Sequence, residues 1–263
     1  MPRFAANLSM MFQDLPFLDR FSAAASAGFK GVEFLFPYDH PAEEVAKAAQ
    51  DAGVEVALFN LPPGDWTKGE RGFAAMPGRE TDFDNALEKA MFYAQALDCK
   101  RLHCMAGLVK EGMNPAELRA TYVANLQKAG DKLAPEGRIA LIEPINTRDV
   151  PGYYINHQQD AHDVLSDVKR LNVKVQMDFY HVQIVEGDLS TRARQYIGNN
   201  VGHIQIAGVP ERHEPDIGEI NYPYVFALLD ELGYDGWVGC EYRPQGDTLA
   251  GVRRWGASYG LGG

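Results

Sequence analysis

Cysteine is scarce. There are three in 263 residues, Cys99, Cys104 and Cys240, with no C-x-x-C and no Cys/His zinc spacing. A disulfide framework is excluded, and free thiols in a reducing cytoplasm are expected. Long apolar runs are absent: nothing approaches the roughly eighteen consecutive residues of a membrane span. The start, M-P-R-F-A-A-N-L, has no apolar core behind a basic segment, so no signal peptide is expected. Basic residues are outnumbered, with Lys+Arg 25 against Asp+Glu 36 and a net charge of −11. Such a surface repels phosphate backbones, so neither nucleic acid nor a membrane is expected as a partner. An anionic substrate then needs a local cation, from a metal or from arginine. The sequence is compatible with a homo-oligomer but does not fix the oligomeric state.

What the chain has is regular alternation. Extended runs at 4–9, 31–36, 54–59, 101–105, 138–143, 173–177, 201–206 and 237–240 are separated by helical patterns at 17–29, 43–52, 82–97, 115–133, 160–171, 189–197, 222–232 and 248–255. Eight strands alternating with eight helices predict an α/β fold, a single (β/α)8 TIM barrel over residues 1–263. Two small domains are the second reading of the length. An open doubly wound sheet is the second reading of the topology, but no G-x-G-x-x-G follows the first strand. The loop 60–81 is long and rich in Gly and Pro, and its Trp66 and Phe73 predict an ordered lid.

The fifth strand, R-I-A-L-I-E-P, sets the pattern for function. Its apolar run ends at Glu143, and Pro144 cannot extend a ladder. Later strands also end on oxygen-bearing side chains: Asp178 in Q-M-D-F-Y-H, Gln205 in H-I-Q-I-A-G and Glu241 in G-C-E-Y-R-P. In a parallel barrel those ends converge on one mouth. Three carboxylates brought together repel unless protonated or neutralised, and a hard divalent cation is the economical neutraliser. With no thiolate among Glu143, Asp178, Gln205 and Glu241, Mg²⁺ or Mn²⁺ is expected. His181 would face the mouth if the chain turns after Asp178. Arg212 and Arg71 are candidate clamps for a substrate carboxylate. His103 and His203 read as barrel-core residues, and Asn7 and Glu33 as weaker candidates for a substrate hydrogen bond.

Taken together, E-P-I-N, D-F-Y-H, G-H-I-Q-I-A-G, R-H-E-P-D-x-G-E-I-N-Y and G-W-V-G-C-E-Y-R-P resemble the hydroxypyruvate isomerase family. The N-terminal F-A-A-N-L-S-M-M-F and the loop N-L-P-P-G-D-W…G-E-R-G agree, so the resemblance covers nearly the whole chain. It implies a xylose-isomerase-like TIM barrel and a small anionic 2-oxo acid as substrate. It implies Glu143 and Glu241 as the acid/base pair, with metal held by Glu143, Asp178, Gln205 and Glu241. The related sugar epimerases usually carry histidine where Gln205 stands, so weaker metal binding is expected here. The implied reaction interconverts hydroxypyruvate and tartronate semialdehyde through an enediolate. Isomerisation of four-carbon 2-oxo acids, ketose 3-epimerisation, nucleic-acid repair and a non-catalytic sugar-acid sensor are the alternatives.

Overall fold

The apolar runs pair in parallel around a closed ring. The computed structural model describes residues 1–198 and 200–263. Its strands are β1 (Arg3–Asn7), β2 (Gly31–Phe34), β3 (Glu55–Asn60), β4 (Arg101–His103), β5 (Ile139–Ile142), β6 (Val173–Asp178), β7 (Val201–Ile206) and β8 (Trp237–Cys240). They pair in chain order, and β8 returns to β1, which closes the barrel. Closure leaves no sheet edge, and helices cover the outside, so the strands are apolar on their outer face.

Among the described residues the α-helices are α1 (Arg20–Ser26), α2 (Ala42–Ala52), α3 (Glu80–Ala96), α4 (Pro115–Leu133), α5 (Gln158–Val168), α6 (Phe179–Val185), α7 (Leu189–Tyr196), α8 (Tyr222–Glu231) and α9 (Thr248–Gly256). Local chemistry explains their starts. Asn114 accepts from the Ala116 N–H and Pro115 occupies the first position of α4, where its missing N–H removes nothing. Phe21, Leu87, Leu126, Val164 and Leu229 are fully or nearly fully buried in the shell between helices and strands. Each contributes about 1.5–3 kcal/mol of hydrophobic stabilisation. No helix among the described residues is long and apolar enough to cross a membrane.

Inside the barrel the lower layer is small and apolar: Ala5 and Ala57 pack with Trp237. Glycines clear space there. A Cβ on Gly31 would lie 2.8 Å from the Trp237 ring, and one on Gly239 would lie 2.2 Å from a Glu33 carboxylate oxygen. The upper layer is polar: Asn7, Glu33, Asn60, His103, Gln176, Asp178, His203 and Gln205 are buried on the strands, and Glu143 and Glu241 follow β5 and β8. Register shifts fall immediately before Glu33 on β2 and before Gln176 on β6. Such bulges re-aim side chains, and both residues stand beside the barrel's acidic group.

Several expected bounds change in detail, and the runs 4–9 and 31–36 leave the ladder at Asn7 and Phe34. The first helical pattern is split into a 3-10 turn at Phe17–Asp19 and the shorter α1, and the stretch 101–105 leaves the ladder at His103. A short helix, α6, was not expected at all. It starts at once after β6 because Asp178 caps it, Oδ1 accepting from the Tyr180 N–H at 2.9 Å. The loop before α3 is ordered, as Trp66 and Phe73 predict. Phe73 is buried, and the backbone N–H groups of Ala74 and Ala75 donate to the carbonyls of Met105 and Ala106.

Candidate active site

The mouth at the carboxyl ends of the strands gathers the acidic residues. Glu143 follows β5, Asp178 ends β6 and Glu241 follows β8; all three are buried. One ligand atom each from Glu143, Asp178, His181 and Glu241 lies within 4.8 Å of the others. Arg212 enters this group from the loop after β7, with φ at +61°. Its Nη2 donates to Asp178 Oδ2 at 3.3 Å and to Glu241 Oε2, and its Nε donates to the Glu241 carbonyl at 3.2 Å. The guanidinium also lies 4.7 Å over the Tyr180 ring.

One guanidinium does not neutralise three carboxylates. Burial raises Glu143 well above the usual carboxylate range, and the charges of Glu241 and Asp178 add to it. Burial pushes Asp178 up to about 6 and Glu241 up to about 8, in each case against the opposing pull of Arg212. These groups titrate together, so the protons belong to the cluster rather than to single residues.

His181 reaches the same point because the first turn of α6 swings it back over Asp178. Its Nδ1 faces the Asn146 amide nitrogen at 2.6 Å and the Asn146 backbone N–H at 3.4 Å. The Asn146 amide is oriented by Asp149, whose N–H donates to Asn146 Oδ1 and whose carboxylate accepts from Asn146 Nδ2. Two donors on Nδ1 assign the proton to Nε2. That N–H points toward Asp178 Oδ2 at 3.6 Å and Glu143 Oε1 at 3.8 Å. Burial first, and Arg212 second, lower its pKa well below the usual imidazole value, so the ring is neutral. A metal would need the Nε2 lone pair, which this tautomer lacks. His181 is therefore better suited to donate to a substrate oxygen than to ligate.

Gln205 is held from two sides. Its Nε2 donates to Glu33 Oε1 at 2.7 Å, and its Oε1 accepts from Gln176 Nε2 at 2.6 Å. Glu33 also accepts from Asn7 Nδ2 at 3.0 Å and pairs with His203 Nε2 at 2.6 Å. Asn7 and Glu33 thus brace the site from below rather than reach the cavity. The donor set fits a hard cation. It is three carboxylates with excess negative charge and an orphaned Glu143 Oε1; Gln205 does not line the cavity, and its amide is committed to Gln176 and Glu33.

Above the cluster lies a cavity of about 230 Å³. Glu143, Glu241, His181, Arg212 and Arg71 all line it. Arg71 projects from the ordered loop, stacked 3.6 Å over the Trp66 ring. Its Nη1 donates to the carbonyls of Trp66 and Glu70, and among the described residues no carboxylate lies within ion-pair distance of it. Arg212 and Arg71 thus share one cavity but differ: the first is held by carboxylates, the second is free to take an anion. Sequence reasoning missed Gln176 and Arg243, which also line it. Arg243 follows Glu241 in the same E-Y-R-P run, a signal that was available. Gln176 had none, since its inward direction depends on the bulge in β6.

The comparisons place this geometry among known proteins. A relative named 2-oxo-tetronate isomerase, from Cupriavidus necator, is 55% identical over 96% of both chains. One named hydroxypyruvate isomerase, from Escherichia coli, is 46% identical over 96% of this chain and 98% of its own. A crystal structure named AP endonuclease, family 2, from Brucella melitensis, superposes with a TM-score of 0.96 at 52% identity, covering 98% of this chain and 99% of that one. The model of the xylose isomerase-like TIM barrel family matches residues 21–259. The chain belongs to that family, in the group that holds the hydroxypyruvate and 2-oxo-tetronate isomerases.

Proposed function

We propose that the protein is an isomerase of small 2-oxo acids that interconverts hydroxypyruvate and tartronate semialdehyde by proton transfer through an enediolate. The observation that carries this reading is that Glu143 and Glu241 face one small cavity together with Arg71, Arg212 and His181. One of the two glutamates, acting in its carboxylate form, takes the proton from C3 of hydroxypyruvate. The electron pair left behind becomes the C2–C3 double bond of the enediolate. The protonated glutamate then delivers a proton to C2, while the oxygen-bound proton moves from O3 to O2. Neutral His181, with its proton on Nε2, donates to the oxygen on which charge develops. Arg71 takes the substrate carboxylate, with Arg212 beside it, and the ordered loop carrying Trp66 keeps bulk water out.

Glu143, Asp178 and Glu241 would hold a divalent cation, Mg²⁺ or Mn²⁺. Such an ion supplies positive charge to the oxygens of the enediolate. The three thiols are free and buried, as suits a reducing cytoplasm. The net charge of −11 and the small cavity disfavour nucleic acid, and retention on DNA at low salt is expected to fail.

The test is proton NMR in D₂O with hydroxypyruvate and 2-oxo-tetronate side by side. Deuterium entering one carbon of the product is the expected result. Glu143→Gln and Glu241→Gln should each lower turnover by at least about a hundredfold. Wild-type turnover in either variant would remove the proton-shuttle assignment. Isomerisation of the four-carbon acid is the second reading, favoured by the name of the Cupriavidus necator relative. Faster turnover of 2-oxo-tetronate in the same assay would select it.

A further inference from the structure

The barrel interior carries two histidines at comparable depth, and they differ in one respect. His203 is tied to Glu33 through Nε2. His103 is 1% exposed, and neither of its ring nitrogens has a hydrogen-bond partner. A buried polar atom without a partner is costly, and two on one ring call for an explanation. The ring does not fill a closed core. It lines the same cavity as Glu143 and Arg71, with Nδ1 at 3.6 Å from Glu143 Oε2. It stands outside the group of Glu143, Asp178, His181 and Glu241 that could hold a metal. Its register neighbour on β3, Asn60, lines the cavity with it, as does Met105. The inner wall at β3 and β4 therefore offers uncharged hydrogen-bonding groups, whereas the two cavity arginines without an ion pair among the described residues, Arg71 and Arg243, sit in partly exposed or exposed loops. An acid whose carboxylate is held by these arginines would turn its uncharged end toward that wall. A neutral imidazole offers one donor and one acceptor, and here both ring nitrogens are uncommitted.

We propose that His103 is a substrate-contacting residue whose imidazole hydrogen-bonds the C3 oxygen of the bound acid, and that it thereby selects three- and four-carbon acids oxygenated at C3. The assignment rests on the 2-oxo acid reading for the identity of the ligand, but its test does not require turnover. D-Glycerate and D-lactate differ only in the C3 hydroxyl, and neither can isomerise. Their dissociation constants are measured by calorimetry on wild type, His103→Leu and His103→Gln. Wild type should prefer glycerate by about tenfold, the worth of one net hydrogen bond. In His103→Leu the preference should fall to within about twofold with lactate binding unchanged, and His103→Gln should keep part of it. Because the leucine removes two unpartnered nitrogens from a buried site, that variant should melt no lower than wild type. An unchanged preference in His103→Leu, or equal loss of both ligands together with a lower melting temperature, would overturn the assignment and mark a packing role. A wild type that prefers glycerate as described but fails to isomerise either oxo acid would remove the activity and leave His103 in place. Binding of neither acid by wild type would overturn both.

Discussion

Replacing Arg212 by methionine keeps most of the side-chain length and removes the charge. The guanidinium is buried and shared by Asp178 and Glu241, with Glu143 close enough to feel it. At an effective dielectric of about 20, a 3.3 Å pair such as Arg212–Asp178 attracts by roughly 5 kcal/mol before desolvation is subtracted. Stranding the partners of a buried pair typically costs about 3–5 kcal/mol. For a chain of this size that corresponds to a melting temperature lower by roughly 5–9 °C. The pH dependence follows from the sign of the shifts. Asp178 and Glu241 already stand above their unfolded values in the folded protein, and removing the cation raises them further. A carboxyl with a raised folded pKa binds more protons folded than unfolded, so the folded state gains stability as pH falls. The deficit of Arg212→Met should therefore be larger at pH 8 than at pH 6. Scanning calorimetry of both proteins at the two pH values reads this directly. A variant as stable as wild type at pH 8, or a deficit that grows on acidification, would refute Arg212 as the counter-charge of the cluster.

Gly239→Ala places a methyl 2.2 Å from Glu33 Oε2, so Glu33 must leave His203, Gln205 and Asn7. Urea unfolding should show a loss of at least about 3 kcal/mol, because three bonds to a buried carboxylate go together. Burial pushes Cys99 and Cys104 up to about 12 and Cys240 well above the usual thiol value. Iodoacetamide at pH 7.5 should leave all three unlabelled in the folded protein and label all three in urea, as read by mass spectrometry. His162, stacked 4.0 Å from Tyr196, is held down to about 4 by burial. Its unfolded form binds more protons between about pH 4 and 6.5, so it makes stability fall as pH drops through that window. Replacing it by phenylalanine should lessen the loss of stability between pH 7 and pH 5 by about 1–2 kcal/mol.

The barrel was legible because its strands are buried on both faces. Runs such as I-A-L-I and V-G-H-I-Q-I stand out from amphipathic helices, and Pro144, Gly53 and Gly233 mark the boundaries. The acidic cluster was legible for a topological reason: strand ends far apart in the chain meet wherever a parallel sheet closes, so Glu143, Asp178 and Glu241 could be brought together without coordinates. Direction within the site was less accessible. Whether Gln205 gives its oxygen or its amide nitrogen depends on Glu33, 172 residues away. Whether Arg212 clamps a substrate or neutralises the protein depends on a φ of +61° that no pattern in P-E-R-H-E-P announces.

Asp178 shows why the remainder lay hidden. Its two oxygens have separate duties: Oδ1 accepts from the Tyr180 N–H and starts α6, while Oδ2 accepts from Arg212. The capping bond turns the chain within three residues, and that turn brings His181 back over the carboxylate that caused it. In sequence, D-F-Y-H reads as a strand end followed by aromatics, because a seven-residue helix is too short to show periodicity. An alanine at 178 would remove more than one charge. The cap bond is worth about 1 kcal/mol, and without it the first turn of α6 loses the anchor that aims His181 Nε2 at the cavity. Asparagine keeps an oxygen acceptor for the cap and lacks only the charge. The two substitutions therefore separate the duties: alanine disturbs the helix start and the charge together, and asparagine disturbs the charge alone.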